Sequence, residues 1–131
     1  MRKRALIVED ELNIAESLSF LLGRAGFHIV HSADGSDAVA QALTISPDVI
    51  ILDLMLPGRS GFDIFKQLRA EPATKAIPVL MLTARGQSDD RRVAGELGID
   101  AFITKPFDNA NVIETALKLC GASQSAAPST G

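Results

Sequence analysis

Val49-Ile-Ile-Leu-Asp53-Leu-Met-Leu-Pro57-Gly58 is the stretch that decides the fold. An apolar run closes on one carboxylate, and a Pro-Gly turn follows closely. A short continuous apolar run marks a strand buried on both faces, the pattern of a parallel sheet covered by helices. Asp53 therefore stands where a buried strand ends. Two other stretches repeat the arrangement. Ala5-Leu-Ile-Val8 runs into Glu9-Asp10, and Ala101-Phe-Ile-Thr104 runs into Lys105-Pro106.

Helical spacing separates these runs. Ile14, Leu18, Leu21 and Leu22 form an apolar face that Gly23 and Gly26 should end. Phe27-His-Ile-Val30 reads as a second strand, and Gly35 breaks the chain after it. Ser36 or Asp37 is placed to cap a helix with Val39, Ala42 and Leu43 inward, stopped by Pro47. Beyond the Pro57, Gly58 and Gly61 loop, Phe62, Phe65 and Leu68 recur at helical spacing up to Pro72. Ile77 to Leu82 is a fourth strand, with its proline near the start, where a missing N–H is tolerated. Ser88 to Leu97 is a charge-rich helix with Gly95 inside, which costs about 1 kcal/mol relative to Ala. Val93, Ala94 and Leu97 are its clear apolar anchors, so it is expected to be the least firmly packed helix. After the fifth strand, Asp108 or Asn109 should cap a last helix with Val112, Ile113, Ala116, Leu117 and Cys120 inward. From Gly121 the composition turns to Ala, Ser, Pro, Gly and Thr. This divides the chain into a domain over residues 1–120 and a flexible tail or truncated linker over residues 121–131.

Five strand–helix units predict an α/β fold, a parallel sheet with helices on both faces. In such sheets chemistry collects beyond the carboxyl ends of the strands, where strand order reverses. The charged and hydroxyl residues lie at those ends: Asp10 after the first strand, Asp53 at the third, Thr83 after the fourth, Lys105 after the fifth.

Composition excludes several classes of function. The chain has 131 residues, 47% hydrophobic and 22% charged, which suits one globular domain. A net charge of −3 offers no general attraction to nucleic acid or membrane. One cysteine, Cys120, excludes an internal disulfide and a zinc cluster. Met1-Arg-Lys-Arg4 is basic, but the apolar run after it is too short for a signal peptide or a membrane span. A cytoplasmic protein is expected.

Glu9, Asp10 and Asp53 converge if the first and third strands are neighbours. Like charges at close range raise a pKa, and a hard divalent cation removes the conflict. Magnesium favours one or two carboxylates together with water and phosphate oxygens. Lys105 can pair with a carboxylate or a phosphoryl oxygen, and Lys105-Pro106 is a candidate cis peptide. The Thr83 hydroxyl can donate to a phosphoryl oxygen. A carboxylate nucleophile that forms an aspartyl phosphate needs this set, so Asp53 is read as a phosphoryl acceptor. His28 and His31 are read as paired or edge residues of the second strand, away from these ends. With no base placed to hydrolyse the product, the phosphate should persist.

Leu6-Ile-Val-Glu-Asp-Glu11, Ile51-Leu-Asp-Leu-Met-Leu-Pro-Gly58, Leu82-Thr-Ala-Arg85 and Phe102-Ile-Thr-Lys-Pro-Phe107 together resemble the receiver domain of bacterial two-component response regulators. The match runs from about Arg4 to Leu119. It implies a flavodoxin-like, doubly wound five-stranded sheet in the order 2-1-3-4-5, with the site at the switch point of that order. It implies Asp53 as phospho-acceptor from the phosphohistidine of a sensor histidine kinase or phosphotransfer protein. It implies Mg2+ (or Mn2+) held by Asp10, Asp53 and the backbone carbonyl of Met55, with Glu9 acting mostly through water. Lys105 would contact the phosphoryl group, Thr83 would move toward it, and Phe102 would turn inward as an aromatic switch. The fourth helix, fifth strand and fifth helix would then change surface toward an output partner. Met55 and Arg85 sit where family side chains modulate dephosphorylation. Leu54-Met-Leu-Pro-Gly58 and Thr83-Ala-Arg85 resemble the branch whose receivers precede winged-helix DNA-binding domains. The last helix lacks the arginine-bearing face with which that branch dimerises, so its dimer is not carried over.

Three other readings compete. A metabolite phosphatase with an aspartyl nucleophile needs a second acid two residues on, where this chain has Met55. A nucleotide- or flavin-binding module lacks both G-x-G-x-x-G and the P-loop pattern here, and there is no Trp or Tyr to stack on a flavin. A plain interaction domain would take up no phosphoryl group at all.

Overall fold

The computed structural model describes residues 3–83, 88–105 and 107–125. The elements follow in the order β1 (Lys3–Val8), α1 (Leu12–Arg24), β2 (Phe27–Ser32), α2 (Ala38–Ile45), β3 (Val49–Asp53), β4 (Met55–Leu56), β5 (Arg59–Ser60), α3 (Gly61–Ala70), β6 (Val79–Thr83), α4 (Ser88–Leu97), β7 (Ala101–Thr104) and α5 (Asn109–Ser125). The main sheet has the order β2-β1-β3-β6-β7, and all its pairings are parallel. Counting only its five strands in chain order, this is 2-1-3-4-5.

Side-chain alternation sorts the strands onto two cores. Leu6, Val8, Ile50, Leu52, Val79 and Met81 face one side with α2 and α3, where Phe102 and Leu97 pack against them. Ala5, Ile7, Val49, Ile51, Leu80 and Leu82 face the other side with α1 and α5. β3, in the middle, is buried along its whole length, as its apolar run requires.

Several local expectations change. The Pro57-Gly58 turn is a small antiparallel hairpin, with Met55 paired to Ser60. Gly23 lies inside α1, which ends at Arg24. Asp37 occupies the N-cap position of α2 without a capping bond. Its carboxylate instead accepts from Ser32 Oγ and Gln41 Nε2. Leu43 is exposed on the outer side of α2. The fourth strand begins at Val79, not Ile77, and Asp100 Oδ2 accepts from the Val79 amide there at 2.8 Å. α5 continues to Ser125, past the Gly121 boundary expected for the tail. Propagating a formed helix adds one hydrogen bond per residue fixed, and the chain through Ser125 contains no proline to stop it. α4 keeps its expected bounds, and among its described side chains only Asp90 and Ala94 are buried.

Candidate functional site

Parallel order brings the ends of β1, β3, β6 and β7 to one edge of the sheet. Asp53 closes β3 between β1 and β6, almost fully buried. Its Oδ1 accepts from the Met55 amide at 3.2 Å, and its Oδ2 lies 3.5 Å from Lys105 Nζ. The next residue continues the local framework: the Leu54 amide donates to Leu82 O and the Leu54 carbonyl accepts from Gly61, both at 2.8 Å. Gly61 is required by this approach. A Cβ there would stand 2.5 Å from Asp53 O and 2.8 Å from Leu54 Cα.

Glu9 is buried just beyond β1, while Asp10 is exposed. Ligand oxygens of Glu9, Asp10 and Asp53 lie within 4.8 Å of one another. Glu9 Oε2 accepts from the Glu11 amide at 3.1 Å. Glu9 Oε1 is buried and, among the described residues, has no hydrogen-bond partner; Lys105 Nζ at 3.3 Å is an ion-pair contact without hydrogen-bond geometry. Lys105 also reaches Glu11 Oε1 at 3.2 Å.

Charges so arranged perturb each other. Burial, then the neighbouring Glu9 carboxylate, pushes the Asp53 carboxyl up to about 7, against the pull of Lys105 and the Met55 amide. Burial works against the Lys105 ammonium, yet Asp53, Glu9 and Glu11 outweigh it and hold its pKa above the ordinary lysine value.

Thr83 ends β6, fully buried and opposite Thr104 of β7, and its carbonyl accepts from the Lys105 amide at 2.6 Å. Phe102 is half-buried, with the Arg91 guanidinium 5.3 Å from its ring centroid. Arg91 Nη2 also donates to Thr104 Oγ1 at 2.9 Å, which ties α4 to β7. Met55 presents an exposed side chain from the hairpin. Asp90 lines a cleft of about 310 Å³ with Leu54, Met55, Arg59 and Phe62 beside the loop that follows Asp53. Arg85 and Pro106, singled out in the sequence, lie outside the described residues.

The structure thus brings together Glu9, Asp10, Asp53 and Lys105, with Thr83 and Phe102 on the adjoining strands. It adds Glu11, which sequence reading passed over, and a site contact for His31, which was read as a paired or edge residue of the second strand. Glu11 carried a signal, as the third member of an acidic run ending a strand. His31 carried none. Its Nε2 lies 2.7 Å from Glu9 O, a contact set by strand register. The placement of His31 away from the strand ends is corrected by that distance.

An all-oxygen set of three acids, one with a buried oxygen that has no hydrogen-bond partner among the described residues, fits a hard divalent cation. The response regulator receiver domain family matches residues 5–117. The chain is 46% identical over 113 residues to the phosphate regulon transcriptional regulatory protein PhoB of Escherichia coli, covering 86% of this chain and 49% of that protein. It is 38% identical over 130 residues to the alkaline phosphatase synthesis transcriptional regulatory protein PhoP of Bacillus subtilis, covering 99% of this chain and 53% of that one. A putative response regulator from Chloroflexus aurantiacus superimposes with a TM-score of 0.86 at 32% identity, over 92% of this chain and 99% of that structure. The chain belongs to the receiver-domain family of response regulators, proteins of phosphorylation-based signalling. It spans about half the length of the curated relatives it matches.

Proposed function

We propose that this receiver is a switch controlled by phosphorylation of Asp53. The observation that carries the reading is the buried Asp53 carboxylate at a central strand end, with Lys105 Nζ 3.5 Å away and two further acids beside it. One Asp53 oxygen attacks the phosphorus of a phosphohistidine on a sensor histidine kinase or phosphotransfer protein. The P–O bond forms as the P–N bond breaks, and the electron pair leaves with the imidazole nitrogen. Glu9, Asp10, Asp53 and the Met55 carbonyl are the groups that would hold Mg2+ or Mn2+. When bound, that ion supplies positive charge to the phosphoryl oxygens. Lys105 neutralises a further oxygen, and the Thr83 hydroxyl donates to another.

Two residues after the acceptor stands Met55, which cannot act as a general acid, so the phosphate is released slowly rather than turned over. The protein is a switch and not an enzyme acting on a separate substrate. Once phosphorylated, Thr83 and Lys105 make contacts available in only one state, which shifts a two-state equilibrium. Phe102 follows, and α4, β7 and α5 carry the change to an output domain or partner. A cytoplasmic location suits partners of this kind, and among the described residues no helix is long and apolar enough to cross a membrane. The net charge of −3 argues against direct nucleic-acid binding by this chain.

Intact-mass measurement after incubation with acetyl phosphate and Mg2+ tests the reading. Wild type should gain one phosphoryl mass, and Asp53→Asn or chelation of the metal should prevent it. A gain that survives Asp53→Asn, or no gain in wild type, would overturn it.

A further inference from the structure

We infer that His31 is a positioning residue for the Glu9–Asp10 acid pair, through the backbone carbonyl of Glu9. This rests on reading Glu9, Asp10 and Asp53 as a divalent-cation site. His31 lies in β2, half-buried and level with Ile7 of β1. From there its Nε2 is 2.7 Å from Glu9 O. A carbonyl only accepts, so the ring donates, and Nε2 carries the proton.

The bonded carbonyl belongs to the peptide that joins Glu9 to Asp10. An uncompensated rotation at that peptide, about ψ of Glu9 or φ of Asp10, would change how the two acids are aimed relative to each other. The His31 ring opposes that rotation directly, and β2 also fixes the preceding Val8–Glu9 peptide. The Glu9 amide donates to Ser32 O at 3.1 Å, which extends the β1–β2 ladder one step past Val8. A parallel ladder would next satisfy the Glu9 carbonyl with an amide two residues beyond Ser32. β2 ends at Ser32, and the His31 ring supplies the donor instead. Side-chain donors that fix the orientation of metal-binding groups without touching the ion commonly alter its affinity by an order of magnitude or more. The acid oxygens already lie close together, so small changes in their aim change how well they converge.

The experiment measures Mg2+ affinity of the whole chain by calorimetry, for wild type, His31→Ala and His31→Gln, with thermal unfolding of each. His31→Ala should weaken Mg2+ binding about tenfold. His31→Gln, whose side-chain amide can donate, should recover most of the affinity whether or not both variants lose stability. A long-range ¹H–¹⁵N NMR spectrum of the metal-free wild type at alkaline pH should show the Nε2-protonated tautomer of His31. Unchanged affinity in His31→Ala, a His31→Gln variant as weak as His31→Ala, or an Nδ1-protonated ring would each overturn the inference and leave the metal site standing. A wild type that takes up no Mg2+ would remove the metal reading and this inference with it.

Discussion

Asp53 sits where burial and the neighbouring Glu9 carboxylate disfavour its ionised form. Burial and Glu9 raise its carboxyl from the ordinary value of 3.8 to about 7. A carboxyl with a raised folded-state pKa binds its proton more tightly in the folded chain than in the unfolded one. Its contribution to stability is therefore greatest near pH 4 and is lost as pH rises toward about 7. Metal-free wild type should lose on the order of 1–3 kcal/mol more than Asp53→Asn across that window, read by thermal unfolding at stepped pH. Equal slopes in the two proteins would contradict this account of the site. Asp53 and Lys105 were legible in the sequence because a buried apolar run that ends in a charge has little reason to do so without a partner. Thr83 stood out only beside them, since a β-branched residue closing a strand has an ordinary explanation. His31 was not legible, because its partner is chosen by the pairing of β1 with β2 and lies 22 residues away.

At the scale of elements, the loop after Asp53 is held by close backbone approach, and α4 is loosely packed. Gly61→Ala would drive a methyl into Asp53 O and Leu54 Cα. Backbone cannot yield there as a flexible side chain could, so the variant should lose about 1–3 kcal/mol in denaturant unfolding. It should also react more slowly with acetyl phosphate, since its clash falls on the backbone of Asp53, the proposed acceptor. α4 stands at the other extreme, with Ala94 as its buried apolar anchor and Arg91 as a tie to Phe102 and Thr104. Amides of Ser88–Leu97 should change their hydrogen exchange when beryllofluoride occupies the acceptor. Unchanged exchange with binding verified would place the output surface elsewhere. The bounds of α4 could be read from its charges and spacing. The hairpin of β4 and β5 could not, because two-residue strands have no periodicity to detect. The end of α5 was also hidden: an Ala- and Ser-rich stretch reads as tail, yet it continues a helix that is already formed.

For the whole molecule, the five-unit alternation pointed to a parallel sheet covered on both faces, and the order 2-1-3-4-5 then came from resemblance. Periodicity alone does not order strands, because each buried run looks alike. β3 takes the central position, and that position makes its terminal acid the meeting point of the others. If the acids hold a cation, folding and binding are linked. Mg2+ at about 100 times its dissociation constant should add about 2.7 kcal/mol to stability. Asp10→Asn should lose most of that increment, measured by thermal unfolding with and without the ion. An equal increment in both would place the ion elsewhere. The central claim is a covalent bond at one residue. Reduction of the acetyl-phosphate-treated chain with borohydride, followed by peptide sequencing by mass spectrometry, should find homoserine at position 53, the mark of a reduced aspartyl phosphate. Homoserine at another acid, or at none in a chain that has bound Mg2+, would contradict it.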